Sequence, residues 1–223
     1  DCDTIADGPK AMLSTVHLKT LDSGALNPTV TWTGSEFVAA WDDYGFPPTT
    51  PEIFMARVDM AGELVGGEVF QVTDHSGTLY GGIWPKVEWT GSEIGLLYTS
   101  GNPLIADSVS YDVELLRLDP EGTPIASEVR LNDVDTIATA DTFAWTGSEY
   151  AVLWKDGRDG PCPDLSTCET DVFFARVSGD GVEAGPDVRI SAVPTGAAMS
   201  IWHVKPIWTG SEFLVFWAVG GVG

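Results

Sequence analysis

Short runs in which β-branched and aromatic residues alternate with polar residues recur along the whole chain of 223 residues. Segments such as EIFMARVD (residues 52–59), DVELLRLD (112–119) and DVFFARVS (171–178) have the two-residue period of half-buried strands. Gly, Pro, Asp and Ser separate these runs, and no segment has a convincing helical period. The pattern therefore predicts an all-β chain.

The runs are organised by a repeat. The letters WTGSE begin at Trp32, Trp89, Trp145 and Trp208, about 60 residues apart, and an aromatic residue closes the strand that follows each copy. Three of the copies continue with a strand ending near an arginine, a turn containing glycine and a last short alternating segment. Each repeat thus predicts four strands, which is typical of a β-propeller blade.

We therefore expect one domain, residues 1–223, that forms a four-bladed β-propeller of four-stranded antiparallel blades. The predicted blades span residues 27–74, 82–133, 139–192 and 201–223, the last completed by residues 12–20. An N-terminal strand in the last blade closes the ring and removes exposed sheet edges. The missing third strand of that blade is the feature that fits least well.

The repeated turn itself has a structural interpretation. Its glycines supply the positive φ of a tight hairpin, at positions 34, 91, 147 and 210. We expect its tryptophan to pack against the neighbouring blade. We expect its glutamate to accept backbone N–H groups or to face solvent, and a ring of four carboxylates around a channel is the alternative.

Charge narrows the possible partners. The chain has 33 Asp and Glu against 11 Lys and Arg, a formal net charge of −22. Such a surface repels nucleic acid and anionic lipid, so neither is expected as a partner. No apolar run is long enough to span a bilayer, and no membrane insertion is expected. Abundant carboxylates suit calcium, although a merely solvated acidic surface is the simpler explanation of them.

Two of the three cysteines, Cys162 and Cys168, enclose the short turn-forming segment PDLST. Turn residues between them bring the sulfurs together, so the sequence predicts a local disulfide. Disulfides persist in oxidising compartments, and we expect a secreted or cell-surface protein.

The repeats resemble bacterial secreted or lipid-anchored β-propeller proteins. Blades of that group carry W-x-G-x-[ED]-[FY], an aspartate-glycine-rich loop and a strand ending in A-R-[LV]-D. Here these elements read WTGSEY (145–150), KDGRDG (155–160) and FARVS (174–178). The resemblance implies the blade structure and export, and it implies little about activity because most such proteins have no assigned function.

Binding residues are expected in the loops that differ between repeats, because functional groups tend to lie on loops that a rigid scaffold positions. The candidate ligand-binding side chains, aromatic platforms and histidines, are Tyr44, Phe46, His75, Tyr80, Trp84, Trp202 and His203. The candidate calcium ligands come in pairs and are Asp42, Asp43, Asp133, Asp135, Asp156 and Asp159. The competing explanations are that the aromatics form core and that the aspartates form turns.

Identical turns combined with divergent loops favour a non-catalytic recognition or adhesion module that binds a glycan or a protein, with calcium as a possible aid. The chain has no G-x-S-x-G or HExxH motif, so we expect it not to be an enzyme. The alternatives are a carbohydrate-acting hydrolase with paired carboxylates and a purely structural domain of a larger surface protein.

Overall fold

The computed structural model describes residues 18, 24–45, 50–78, 80–101, 111–192, 194 and 199–221. Within them lie fourteen strands: β1 (Ala25–Trp32), β2 (Phe37–Asp43), β3 (Glu52–Val58), β4 (Leu64–Gln71), β5 (Gly81–Trp89), β6 (Ile94–Gly101), β7 (Asp112–Leu118), β8 (Val129–Arg130), β9 (Ala138–Trp145), β10 (Glu149–Asp156), β11 (Asp171–Ser178), β12 (Val188–Arg189), β13 (Met199–Trp208) and β14 (Phe213–Gly221). None of the described elements is a helix long and apolar enough to cross a bilayer.

The strands form four antiparallel sheets in chain order. Sheet 1 contains β1–β4, sheet 2 contains β5–β8, sheet 3 contains β9–β12, and sheet 4 contains β13 and β14. The predicted all-β class is confirmed. The predicted closing strand, residues 12–20, lies outside the described residues except for Leu18.

Each apolar cluster fills the space between one sheet and the next. Ile53 of sheet 1 packs with Leu96 of sheet 2, and Leu97 of sheet 2 packs with Trp154 of sheet 3, all fully buried. A smaller cluster joins Leu153 of sheet 3 to Val204 of sheet 4. The first strand of each sheet contacts the first strand of the next, so β1, β5, β9 and β13 are the innermost strands.

The repeated turn is built the same way in all four sheets. The Thr33 backbone N–H donates to the Glu36 carbonyl oxygen at 2.9 Å, and the Thr33 Oγ1 accepts the Glu36 N–H at 3.1 Å. The glycine between them has a φ of +101° in the first copy and of +100° to +103° in the others, a conformation that side chains disfavour. The prediction of a positive-φ hairpin glycine is confirmed.

The glutamate of the turn binds an arginine on the third strand of its own sheet. Arg117 Nε and Nη2 lie 2.8 and 2.7 Å from the two carboxylate oxygens of Glu93, and Arg176 and Glu149 form the same two-pronged pair. Arg57 pairs with Glu36 in sheet 1. The expectation that these glutamates accept backbone N–H groups, face solvent or form a ring is therefore wrong for the first three sheets. Because β3, β7 and β11 carry the arginine at one register position, the pair fastens the hairpin to the third strand.

Candidate functional site

All four innermost strands are interrupted by a β-bulge at the same place, five or four residues before the repeated tryptophan. In β1, Asn27 and Pro28 together face one residue of β2, and in β5 Trp84 and Pro85 face one residue of β6. In β13, His203 and Val204 face one residue of β14. In β9 the extra residue is Asp141, between the positions paired with Leu153 and Trp154. A bulge re-aims side chains and is common beside functional sites.

The bulges place three residues other than glycine in the left-handed region. The φ angles are 51° at Asn27, 54° at Trp84 and 53° at His203, the first residue of the bulge in each case. Asparagine and histidine tolerate this region better than most residues, whereas a bulky tryptophan seldom adopts it. Strain of this kind persists where the surrounding structure fixes it, and it clusters at binding sites.

Hydrogen bonds from the preceding sheet hold the bulges of β5, β9 and β13. The Trp84 backbone N–H donates to the Asp42 carboxylate, and the Ala140 N–H donates to Thr99 Oγ1 at 2.9 Å. In the third sheet Lys155 occupies the position of Asp42 and Thr99, and its ammonium group cannot accept a hydrogen bond. There the Val204 N–H donates instead to Asp141 Oδ1, at 3.1 Å.

The four bulges border one central cavity of about 650 Å³ between the innermost strands. Its wall combines two tryptophans, polar side chains and lysines. The lining residues that come from the bulges or lie next to them are Asn27, Trp84, Lys86, Ala140, Asp141, Trp202, His203 and Lys205. Concave sites with apolar surface and a few converging polar groups are typical of ligand and substrate binding.

Asn27 is held against the wall by Asp42. Its side-chain amide donates to the two Asp42 carboxylate oxygens at 2.9 and 3.3 Å. Burial, the largest influence, raises the pKa of Asp42 despite these donors and the Trp84 N–H. Asp42 is fully buried behind Asn27, so it fixes the orientation of the amide that faces the cavity.

Among the described residues that line the cavity, Asp141 is the one with a carboxylate. Its Oδ1 accepts the Val204 N–H, and its Oδ2 lies 3.5 Å from the Lys155 Nζ. The exposed imidazole of His203 belongs to the residue that precedes Val204. A carboxylate and an imidazole therefore lie on the bulges of two neighbouring innermost strands, and both kinds of group can transfer protons to or from a bound molecule.

The predicted ligand-binding residues are only partly brought together. Trp84, Trp202 and His203 line the cavity, but all three lie in β5 and β13 rather than in loops. Trp84 stacks on Tyr111, with ring centroids 6.5 Å apart. Tyr80 is exposed and does not line the cavity.

Tyr44 does not form an exposed platform, because it is buried in a cluster with Ile83, Tyr111 and Ile137. Phe46 lies outside the described residues. His75 also lies away from the cavity: its Nδ1 is 2.9 Å from Glu52 Oε2, and this hydrogen bond raises the pKa of His75.

The six aspartates predicted to bind calcium are engaged by the protein. Asp43 accepts the Gly45 N–H, and Asp42 accepts the Asn27 amide. Asp133 and Asp156 bind Arg158, Asp135 binds Arg130, and Asp159 binds Arg189. The described residues contain no group of three or more side chains suited to a metal ion. Calcium binding thus stays a prediction without an assigned site.

The predicted disulfide between Cys162 and Cys168 is confirmed. It packs against Gly157, where an added Cβ would collide with both sulfurs, so this glycine is required by close approach. Cys168 is buried and lines the cavity beside Leu165. The bridge therefore fixes the β10–β11 loop against the rim of the cavity.

A second group of titratable side chains lies between sheets 1 and 2, apart from the cavity. His75 hydrogen-bonds to Glu52, and the Tyr98 hydroxyl donates to Glu128. The buried carboxyl of Glu114 also belongs to this group. Burial, with the charge of Glu128, raises the pKa of Glu114 to about 8.

Sequence reasoning did not identify the amide and charged side chains that the cavity wall contains besides His203, which are Asn27, Lys86, Asp141, Lys155 and Lys205. Binding residues were expected in the variable loops, whereas these side chains come from strands. A signal was present, because Pro28 and Pro85 occupy the same repeat position. Proline inside a strand pattern often marks a bulge.

No protein-family model matches the chain, and no curated protein matches its sequence. Solved structures share its fold. An endo-arabinase from Bacteroides thetaiotaomicron aligns over 85% of this chain and 68% of its own, with 11% identity and a TM-score of 0.50. An α-L-arabinofuranosidase from Lactobacillus brevis aligns over 92% and 70%, also with 11% identity and a TM-score of 0.50. For a GH43 endo-arabinanase from Bacillus licheniformis the shares are 88% and 73%, the identity 12% and the TM-score 0.50. The likeness is one of fold.

These comparisons contradict the interpretation of the chain as a non-catalytic recognition or adhesion module, and with it the expectation that it is not an enzyme. The three structures that align over most of the chain are of enzymes named for arabinose-containing glycans. Divergent residues around a constant framework do not distinguish a binding module from an enzyme, because they are equally expected of a catalytic scaffold.

Proposed function

We propose that the chain is a carbohydrate-acting hydrolase whose substrate site is the central cavity. The observation that carries the proposal is the set of four bulges, which present Asn27, Trp84, Asp141 and His203 to one cavity. The fold shared with arabinan-acting enzymes supports a glycan as the substrate. The disulfide supports an exported protein, which would meet glycans outside the cell.

Hydrolysis of a glycosidic bond needs a proton donor for the leaving oxygen and a base or nucleophile on the other side. In the proposed mechanism Asp141 is the base or nucleophile, oriented by the Val204 N–H and Lys155. His203 is the proton donor. Asn27, anchored by Asp42, binds a sugar hydroxyl, and Trp84 and Trp202 stack on sugar rings. A pair of facing carboxylates is not part of this mechanism, because Asp42 lies behind Asn27.

Reducing-end release from a panel of neutral and acidic polysaccharides, including linear arabinan, tests the proposal. Asp141→Asn keeps the acceptor for the Val204 N–H but loses the charge, and His203→Asn tolerates the positive φ. Each is expected to lower the rate about 100-fold or more. Glu121→Gln, in an exposed turn, is the control and should keep full activity. Wild-type activity that neither cavity variant reduces, or no hydrolysis of any glycan, contradicts the proposal.

We also propose that the sheets are blades of a four-bladed propeller closed by residues 12–20 beside β14. Support comes from β14, which pairs only with β13 among the described strands and exposes Leu214, Phe216 and Val219. An unpaired apolar edge of this kind is normally covered. Removal of residues 1–20 should speed amide hydrogen exchange in β14 while β6 stays protected. Equal exchange in β14 of both chains contradicts closure.

A further inference from the structure

Lysine is distributed unevenly in this acidic chain. Of five lysines, Lys86, Lys155 and Lys205 line the central cavity, and the other two lie outside the described residues. All six arginines, by contrast, form ion pairs with carboxylates, and none of them lines the cavity. Arginine in this protein stabilises the framework, whereas the described lysines gather at one site.

Among the described residues Lys86 and Lys205 form no ion pair, although the charges of Asp141 and Asp42 act on Lys86. Lys86 Nζ donates to the carbonyl oxygens of Trp84 and Pro85 at 3.2 and 3.3 Å, which directs it to the bulge. Lys155 has a partner, Asp141, at 3.5 Å. Lys205 is exposed and contacts no carboxylate within the described part of the chain.

The cavity wall has the opposite sign to the molecule. Its described ionisable side chains are three lysines and Asp141, a formal charge of +2 with His203 neutral, whereas the chain carries −22. Burial lowers the pKa of Lys86; Asp141 opposes this change, and the ammonium groups of Lys205 and Lys155 add to it. Three ammonium groups that repel one another around a cavity favour an anion between them, because a low-dielectric cleft strengthens local charge.

The same wall offers apolar platforms beside the charge. Trp84 is stacked on the buried Tyr111, and Trp202 is 47% exposed with the Lys155 ammonium 6.0 Å from its ring centroid. A ligand that fits both features has an apolar ring face and an anionic substituent. Sugars with a carboxylate or a sulfate have this combination.

We propose that the cavity takes an anionic saccharide, with its carboxylate or sulfate between Lys86 and Lys205 and its ring face on Trp84 or Trp202. The saccharide part of this inference rests on the proposed function; the anionic part rests on the lysines. Since an ammonium is a point charge without a fixed fork, it accepts either anionic group.

Calorimetric titration of the purified chain with three disaccharides tests the inference. The probes are digalacturonic acid, a sulfated disaccharide and neutral arabinobiose. Lys205→Gln should weaken binding of an acidic probe about tenfold and leave the neutral probe unchanged. Arg176→Gln is the matched control, because it removes one exposed positive charge remote from the cavity. It should change binding less than twofold, and added salt should weaken only the acidic probe.

Preference for the uronate or for the sulfated probe supports the inference and identifies the group. Equal affinity for acidic and neutral probes, or acidic binding that Lys205→Gln does not weaken, overturns it. The proposed hydrolase fails separately: lysine-dependent binding without hydrolysis of any glycan contradicts the hydrolase alone. Hydrolysis of arabinan that depends on Asp141, without binding of either acidic probe, contradicts the anionic ligand alone.

Discussion

The two ends of each innermost strand differ in how far their residues repeat from sheet to sheet. At one end the WTGSE turn has the same letters, the same hydrogen bonds and nearly the same glycine φ in all four sheets. Four or five residues earlier, every strand has a bulge, and the residue that it presents differs: Asn27, Trp84, Asp141 or His203. The turn has the same side chains in every sheet, whereas the bulges share only their position.

This difference separates two requirements on one strand. A tight turn requires particular residues because its hydrogen bonds and its positive φ depend on them. A bulge requires only that one residue be added, so its side chains are free to differ and to serve a ligand. In this repeat protein, the residues that are identical in every repeat therefore belong to the framework. The bulges, which recur with different residues, form the candidate ligand site.

The largest expected effect contrasts a framework tryptophan with a cavity tryptophan. Trp154 is fully buried and stacks on Phe173, so Trp154→Ala should lower the free energy of unfolding by about 3–5 kcal/mol. Trp84 is half-buried at the cavity, so Trp84→Ala should cost clearly less stability but abolish sugar binding. Urea unfolding and calorimetry measure the two effects. Equal loss of stability would show that Trp84 is simply another core residue.

A smaller effect is expected in the turn. Gly147 has a φ of +103° and open space around its Cα, so Gly147→Ala should cost about 1–2 kcal/mol through backbone strain alone. Ser148→Ala alters the neighbouring exposed residue and should change the free energy of unfolding by less than about 0.5 kcal/mol. Thermal unfolding of both variants checks this. A Gly147→Ala protein as stable as the wild type would remove the reason for the repeated glycine.

The smallest effect concerns the ion pair beside the turn and depends on pH. Burial raises the pKa of Glu93, but the hydrogen bonds from Arg117 and Tyr150 outweigh it, and the net shift is downward. The stabilisation is therefore present above the ordinary glutamate pKa and is lost as the pH falls through the lower folded pKa. Glu93→Gln should reduce stability by about 1 kcal/mol at pH 7 and by less in acid.

Glu212 provides the matched control for this pair. It occupies the same position of the fourth turn, and all six arginines of the chain pair with other carboxylates. Glu212→Gln should therefore leave the free energy of unfolding unchanged at pH 7. A loss as large as that of Glu93→Gln would mean that the turn glutamate acts without its arginine.

The sequence was sufficient to predict strands, sheets and turns, because alternation and turn chemistry are local properties. The disulfide followed from the short spacing of Cys162 and Cys168. The Glu93–Arg117 pair was readable in principle, since both residues recur at fixed repeat positions, but their contact depends on strand register.

The site was harder to predict because it depends on which strands are innermost. Lys86, Asp141 and Lys205 are separated along the chain and meet only when the first strands of consecutive sheets face one another. Tyr44 shows the opposite error, as an aromatic residue in a variable loop that the fold buries as core. Overall composition also could not predict the charge of the cavity, because the chain has a net charge of −22 whereas the cavity wall is positively charged.

A crystal structure of the chain soaked with digalacturonic acid or arabinobiose tests most directly whether the bulged strands form the substrate site. We predict a sugar ring in the central cavity, in contact with Trp84 or Trp202 and within reach of the Asp141 carboxylate. A sugar bound instead at the Tyr80 loop or on an outer sheet surface, with the cavity containing only solvent, would contradict this account.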